Sequence, residues 1–490
     1  MRMAWRILGG VSLAAVLVGL GSGCGEEAAP GKTRYDFDGK PDPETGKSVD
    51  NWIKQLKTGQ PEDQGHAAQV LGKIGRGANA AVPALHEALG AKSEALRVHA
   101  AIALARMEGP SEPIVGALID SLHAQRTEVR ALAADALGTL GAETPQAVSA
   151  LVGVLGDHDR AVSAKAAAAL EKIGPPAYAA LAGALKASNK TARRAAEQLL
   201  AKAGPGVLAA LGTLLRNRDR DVRQQAGRIA ARYGEQAAPI YVDALQSDDP
   251  SARRFAAQLL RKLGPKAAGA APPLAKRLKD TSVEVRSEVQ AALVKIGAAA
   301  VDPLLEVLKD DESWARVLAT ECLVKIGSDA VTALTEALKS PVETVRAHSA
   351  SALIRIQPAS PAALAVLVRG LKSERQELRT LAARSVALVK TGLTSHLPAL
   401  IGALEGGSSE IRKHVAEAVQ GIGVDAAPAI PALVKVLGDN SEETVVAAVD
   451  ALGAMGNRAS QVKGEIERLK KHHSPDVRRA AEDALEKIQK

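Results

Sequence analysis

The chain has 490 residues, 46% of them hydrophobic and 24% charged, with 63 Lys and Arg against 55 Asp and Glu for a formal charge of +8, the mix of a folded protein. Aromatic residues make up only 2%, which argues against ring-built surfaces for sugars, quaternary ammonium groups or stacked bases. Cys24 and Cys322 are the two cysteines, so a disulfide framework and a cysteine-rich zinc site are excluded, and so mild a basic balance does not by itself imply nucleic acid.

Residues 1–23 form the first predicted element. Arg2 and Arg6 make a basic start, residues 7–20 are a continuous apolar run, and Gly21, Ser22 and Gly23 lead into Cys24. A basic start, a short apolar core and small residues before a cleavage point read as an export signal. The run is shorter than the ~20 residues that span a bilayer. Small residues directly before a cysteine resemble the lipobox of bacterial lipoproteins, although Gly21 stands where that family prefers Leu. The resemblance implies that Cys24 is lipidated and becomes the mature N-terminus, placing the protein on the outer side of a bacterial membrane. Simple cleavage to a soluble secreted protein is the alternative.

Residues 24–47 follow as a tether. Gly, Pro and mixed charge with few apolar residues make a poor core, and a flexible segment of this length spans roughly 25–30 Å. Gly46-Lys47-Ser48 ends like a phosphate-binding loop, but Pro41 occupies the place of the first glycine and no apolar strand precedes it. Asp36, Asp38, Gly39 and Asp42 have the residue types of a calcium loop with the glycine misplaced. A solvated acidic linker is the simpler reading.

From residue 48 to 490 one unit recurs fourteen times. Its anchors are Gln64, Arg97, Arg130, Ser163, Arg193, Arg223, Arg253, Arg286, Arg316, Arg346, Arg379, Arg412, Val445 and Arg478, every spacing being 33 or 30. Eleven of the fourteen are Arg. Three residues after the anchor stands Ala in eleven units, and seven after it Leu in eleven. With the apolar residue at offset ten, these positions share one face of a helix. Gly at offset eleven suits a helix C-terminus in the left-handed conformation. A first helix ends in Leu eight residues before the anchor in thirteen units. Ser340-Pro341 and Ser474-Pro475 read as N-caps followed by first-turn prolines.

The period and the pattern V-R-x-x-A-A-x-A-L-x-x-I-G resemble the HEAT repeat, particularly the short bacterial form first noted in phycobilisome-lyase-related proteins. The resemblance covers about nine-tenths of the chain. It implies an all-α solenoid of stacked helix pairs, each touching its neighbours, with a contour of roughly 110–140 Å at 8–10 Å between packed helices.

Two charge series run through the array. The anchor arginines oppose the dipole of the helix they open and so require partners. Glu128, Asp221, Glu284, Glu377, Glu410, Glu443 and Asp476 stand two residues before anchors, which predicts an acid–arginine ladder tying turns together. Nine residues after successive anchors come Lys172, Lys202, Arg232, Lys262, Lys295, Lys325 and Arg355, away from the Ala/Leu face. Stacking would align them into a basic stripe. The stripe either keeps the array soluble, with cations favoured near helix C-termini, or binds an acidic partner protein, an anionic polymer or lipid headgroups.

Histidines test for an enzyme. HEAT-like hydroxylases hold iron with several His-Glu pairs at the starts of second helices, whereas here the one such pair, His86-Glu87, lies on a first helix. His66, His99, His348 and His414, two residues after their anchors, read as solvated surface residues, with His66 and His99 near one another. Cys322 reads as a small packed residue. The sequence therefore predicts a non-catalytic interaction scaffold with no cofactor, no metal and no nucleic acid, tethered to the membrane by its N-terminal lipid. A lyase or hydroxylase relative is the alternative, with nucleic-acid binding behind it.

Overall fold

A computed structural model describes residues 46–140 and 145–489. Cys24, the export signal and most of the tether lie outside the described residues. The first helix, Val49–Thr58, opens at Ser48, whose hydroxyl accepts from the Asn51 N–H at 3.4 Å.

Twenty-eight α-helices follow one another in fourteen pairs, and no strand occurs among the described residues. The second helix of each pair carries the anchor near its start, as in Val283–Ile296 with Arg286. Each forms on the apolar stripe that the repeat supplies, and many are also capped by a side chain. Ser282 accepts from the Val285 N–H at 3.3 Å, satisfying a donor that has no partner within the helix. The Ala and Leu positions are sealed: Ala67, Ala100, Ala133, Leu71, Leu104, Leu137 and Leu293 are all 0% exposed. Each buried Leu contributes about 1.5–3 kcal/mol, and Ala opposite it lets neighbouring helices approach.

Most of the predicted glycine stops have positive φ, with one difference in ψ; Gly204 instead is extended, at φ −70° and ψ −178°. Gly75, Gly174, Gly264, Gly297, Gly327 and Gly423 have φ between 58 and 78°, but ψ lies between −130 and −135°. That is not the left-handed helical well, where ψ is near +47°. It is a region entered readily only by glycine, and it reverses the chain at once into the next first helix. Pro475 begins its helix as expected. Ser340-Pro341 does not: that helix is Glu343–Ile356 with Val342 at its N-cap, and Ser340 accepts from the Val342 N–H inside the preceding turn.

The repeats fall into two compact units. The first ends at Ala147 and holds the pairs from Val49–Thr58 to Thr127–Leu140; the second begins at Val148 and holds the remaining second helices, from Arg160–Ile173 to Pro475–Gln489. Within the second unit the anchor-bearing helices pack directly on one another, Pro250–Leu263 on Val283–Ile296 and that on Ser313–Ile326. This stacking brings equivalent positions of successive repeats side by side.

Candidate functional site

The anchor arginines come first, because they decide which charges are left over. All eleven of Arg97, Arg130, Arg193, Arg223, Arg253, Arg286, Arg316, Arg346, Arg379, Arg412 and Arg478 donate from Nη1 to carbonyls five or six residues earlier. Those carbonyls belong to the turn between the two helices of the pair. Arg286, for example, grips Asp280 O at 2.7 Å and Thr281 O at 3.2 Å. The predicted ladder to acids two residues before the anchor is therefore corrected. Glu377 alone of those acids reaches an anchor, Arg316, at 2.8 Å. Glu128, Glu410 and Glu443 pair instead with Arg126, Arg384 and Lys413. The physical reason is reach: a guanidinium at the start of a helix folds back over the turn that precedes it, where carbonyls lack helical partners.

Carboxylates do join repeats, but from the turn. Asp280 receives Nε and Nη2 of Arg253, the anchor of the previous repeat, at 2.7 Å each. Asp439 receives Arg412 Nε at 2.6 Å, and Asp249 receives Arg223 at 3.2 Å.

The stripe is what remains. Lys172, Lys202, Arg232, Lys262, Lys295, Lys325 and Arg355 are all exposed. Arg355 is neutralised by Glu321, with Nη2 3.0 Å from Oε2, which holds the Glu321 carboxyl below its ordinary range. The other six make no ion pair among the described residues. The stripe ends where Leu388, 53% exposed, takes the same offset.

Three of its members converge. Lys262, Lys295 and Lys325 border one open groove of about 710 Å³, together with half-buried Ala291 and Val294 and the polar side chains of Ser287 and Gln290. Arg261 also borders it but is spoken for by Glu288 at 3.5 Å. The stem of Lys295 passes over Gly264, where an added Cβ would lie 3.6 Å from its Cγ. The glycine that ends one repeat thus touches the lysine of the next, and it is its φ of +58° that calls for glycine. A second cavity of about 320 Å³ is lined by Arg220, Arg254 and Phe255. Sequence reasoning missed these residues because basic residues recur at the offsets of Arg220 and Arg254 in only three or four units, and it missed Ser287 and Gln290 because polar residues on an exposed helix face carry no signal of a groove.

One family model, that of HEAT repeats, matches residues 49–114, 115–201, 208–294, 239–323, 271–354, 301–387, 364–453 and 397–486. The chain belongs to the HEAT-repeat family. No curated protein matches the sequence. Among solved structures, the HEAT array is similar to an engineered protein at 22% identity, covering 90% of this chain and 99% of that one with a TM-score of 0.31. It is also similar to importin beta at 15% identity, covering 90% and 72% with a TM-score of 0.40. The karyopherin Kap121p bound to Nup53p gives 15% identity, 87% and 55% coverage and a TM-score of 0.33.

The histidines of the HEAT repeats divide. His66 is exposed and His99 half-buried, and His99 is held below its ordinary pKa by burial and by the nearby His66 and Arg106. His86 pairs with Glu108 at 2.9 Å, not with its neighbour Glu87. His348 departs from the solvated reading: it is 4% exposed, its Nδ1 lies 2.9 Å from Thr320 Oγ1, and burial with Arg316 and Arg375 nearby pushes its pKa down to about 3. Among the described residues no three His, Cys, Asp or Glu are grouped to hold a metal ion. Cys322 is fully buried, its thiol pushed up to about 12 by burial.

Proposed function

We propose that this HEAT-repeat protein is a non-catalytic scaffold that captures acidic partner proteins along its basic stripe. The observation that carries the reading is the difference in how the cations are engaged: the donors of the anchor arginines are taken up by turn carbonyls, while Lys262, Lys295 and Lys325 stand exposed around one groove with no ion-pair partner among the described residues. A row of unpaired cations along stacked repeats raises the local concentration of an anionic partner and its association rate. Neighbouring members of the row are separated by roughly the helix spacing of 8–10 Å, comparable to a Debye length of about 8 Å at physiological salt. Single charges therefore count for little and several together for much.

The same reading places the protein on the outer side of a bacterial membrane, on the periplasmic face or the outer membrane, with Cys24 lipidated and residues 25–47 as tether. The apolar run and the small residues before Cys24 support it. Two buried acyl chains hold a protein at a bilayer where one does so only reversibly.

The test of the scaffold is capture of acidic proteins from membrane extract at low and high salt by wild type and by the variant Lys262→Gln/Lys295→Gln/Lys325→Gln. Equal capture by both at low salt overturns the stripe. Mass spectrometry of the mature N-terminus tests the anchor, and an unmodified N-terminal peptide from a host that processes lipoproteins overturns it.

A further inference from the structure

The groove bordered by Lys262, Lys295 and Lys325 runs across three stacked helices, and the usual spacing of packed helices selects a peptide conformation. The three lysines occupy one position on three successive second helices, Pro250–Leu263, Val283–Ile296 and Ser313–Ile326. Packed helices lie roughly 8–10 Å apart, so the ammonium groups recur at about that interval. A β-strand returns a side chain to the same face every second residue, at about 6.6–6.8 Å, which falls out of step after one repeat. A polyproline II helix returns every third residue at a rise of 3.1 Å, or about 9.3 Å, which stays in step.

An α-helix also returns to one face, every seventh residue at about 10.5 Å, but its backbone groups are already paired. Polyproline II leaves its backbone N–H and C=O groups unpaired. Ser287, exposed, and Gln290, whose side-chain amide donates over a long 3.5 Å to Leu318 O, line the groove where such a backbone would run. Ala291 and Val294 offer an apolar surface between the cations. Proline-rich segments are extended before binding and lose little entropy on docking.

We infer that the groove binds a segment of a partner protein in the polyproline II conformation, with a carboxylate at every third residue on Lys262, Lys295 and Lys325 and proline or aliphatic side chains over Ala291 and Val294. The inference rests on the reading of the stripe as an acid-binding surface and adds its register.

Fluorescence anisotropy with the full chain at low salt tests it, using three labelled peptides of equal charge. One is proline-rich with Glu at every third position, one has the same composition with Glu clustered, and one is helical with Glu at every seventh position. The first binds about tenfold more tightly than either of the others, since exposed pairs of modest strength add only when all are in register. Lys262→Gln/Lys295→Gln/Lys325→Gln abolishes that preference, while the charge-matched control Lys186→Gln/Lys390→Gln/Lys470→Gln retains it. Equal, salt-sensitive binding of all three peptides that is lost in the groove variant overturns the register and leaves the stripe reading standing. Binding of none of them, or equal losses in the groove variant and the control, overturns both.

Discussion

Arg253 reaches from one repeat into the turn of the next and holds Asp280 through two hydrogen bonds of 2.7 Å, while the carbonyl of Asp280 is gripped by Arg286 of its own repeat. The Asp280 side chain is 1% exposed and that of Arg253 9%. Removing one member strands the other, so Arg253→Ala is expected to cost about 3–5 kcal/mol. Arg253→Met with Asp280→Leu removes both charges and recovers most of that loss. Urea titration of the two variants checks this, and equal stability of the single and double variants would contradict the pairing.

The same pair sets an acid limit. Burial by itself would raise the Asp280 carboxyl, but the Arg253 hydrogen bonds, the Ser282 N–H and the charges of Arg253 and Arg277 overcome it and hold the group below its ordinary 3.8. A depressed carboxyl contributes stability that is complete above the unfolded value and is lost as pH falls through the folded one. The expected result is a gap in stability between wild type and Asp280→Asn that is constant above about pH 5 and closes below it. A gap independent of pH would refute the assignment.

His348 acts higher on the pH scale. Its folded pKa of about 3 lies under an ordinary 6.5, so the unfolded chain takes up a proton first and stability falls from pH 6.5 downward. This one group removes about 2 kcal/mol between pH 7 and pH 5. His348→Gln is expected to flatten that slope by one proton. Chemical unfolding at several pH values measures it, and an unchanged slope would show that the imidazole titrates normally.

Gly264 and Gly269 stand five residues apart with different duties. Gly264 has φ +58° and lies under the Lys295 stem, whereas an added Cβ at Gly269 meets nothing within 4 Å. Gly264→Ala should cost about 1–3 kcal/mol, and Gly269→Ala close to nothing. Thermal melts of both variants distinguish a conformational requirement from general sensitivity of the turn.

Leu293 is fully buried in Val283–Ile296. Leu293→Ala is expected to cost about 2–5 kcal/mol. Because each repeat contacts its neighbours, hydrogen exchange should rise first in Pro250–Leu263 and Ser313–Ile326. A uniform rise along the second unit would contradict nearest-neighbour behaviour.

The repeat, its two helices and its sealed positions were legible in the sequence because each depends on local spacing, and Ala100, Leu104 and Leu293 are buried as their offsets require. The partner of the anchor arginine was not legible. Acids two residues away are visible in a sequence, whereas backbone carbonyls are present at every residue and mark nothing. His348 was misread for a related reason. Its helix, Glu343–Ile356, has ten buried residues, including Thr344, Ser349 and Ser351. The run of small residues around it, Ala347, Ser349, Ala350, Ser351 and Ala352, was the available sign that both sides of this helix are packed. The stripe was legible as a series, but that Arg355 is not free was decided by Glu321 on a neighbouring helix.

The arginine clamp is internal to each repeat, since it ties a second helix to the turn just before it. A segment of 30 or 33 residues therefore carries its own fastening. Copying or excising such a segment leaves every remaining clamp with both ends present, and only the carboxylate links at the join, such as Arg253 with Asp280, change hands. Gene duplication can thus lengthen this protein in fixed increments without redesigning a single turn, and each added copy that keeps its lysine extends the cationic row by one. If the stripe is the binding surface proposed above, the number of repeats becomes an inheritable setting for how long a ligand that surface can measure.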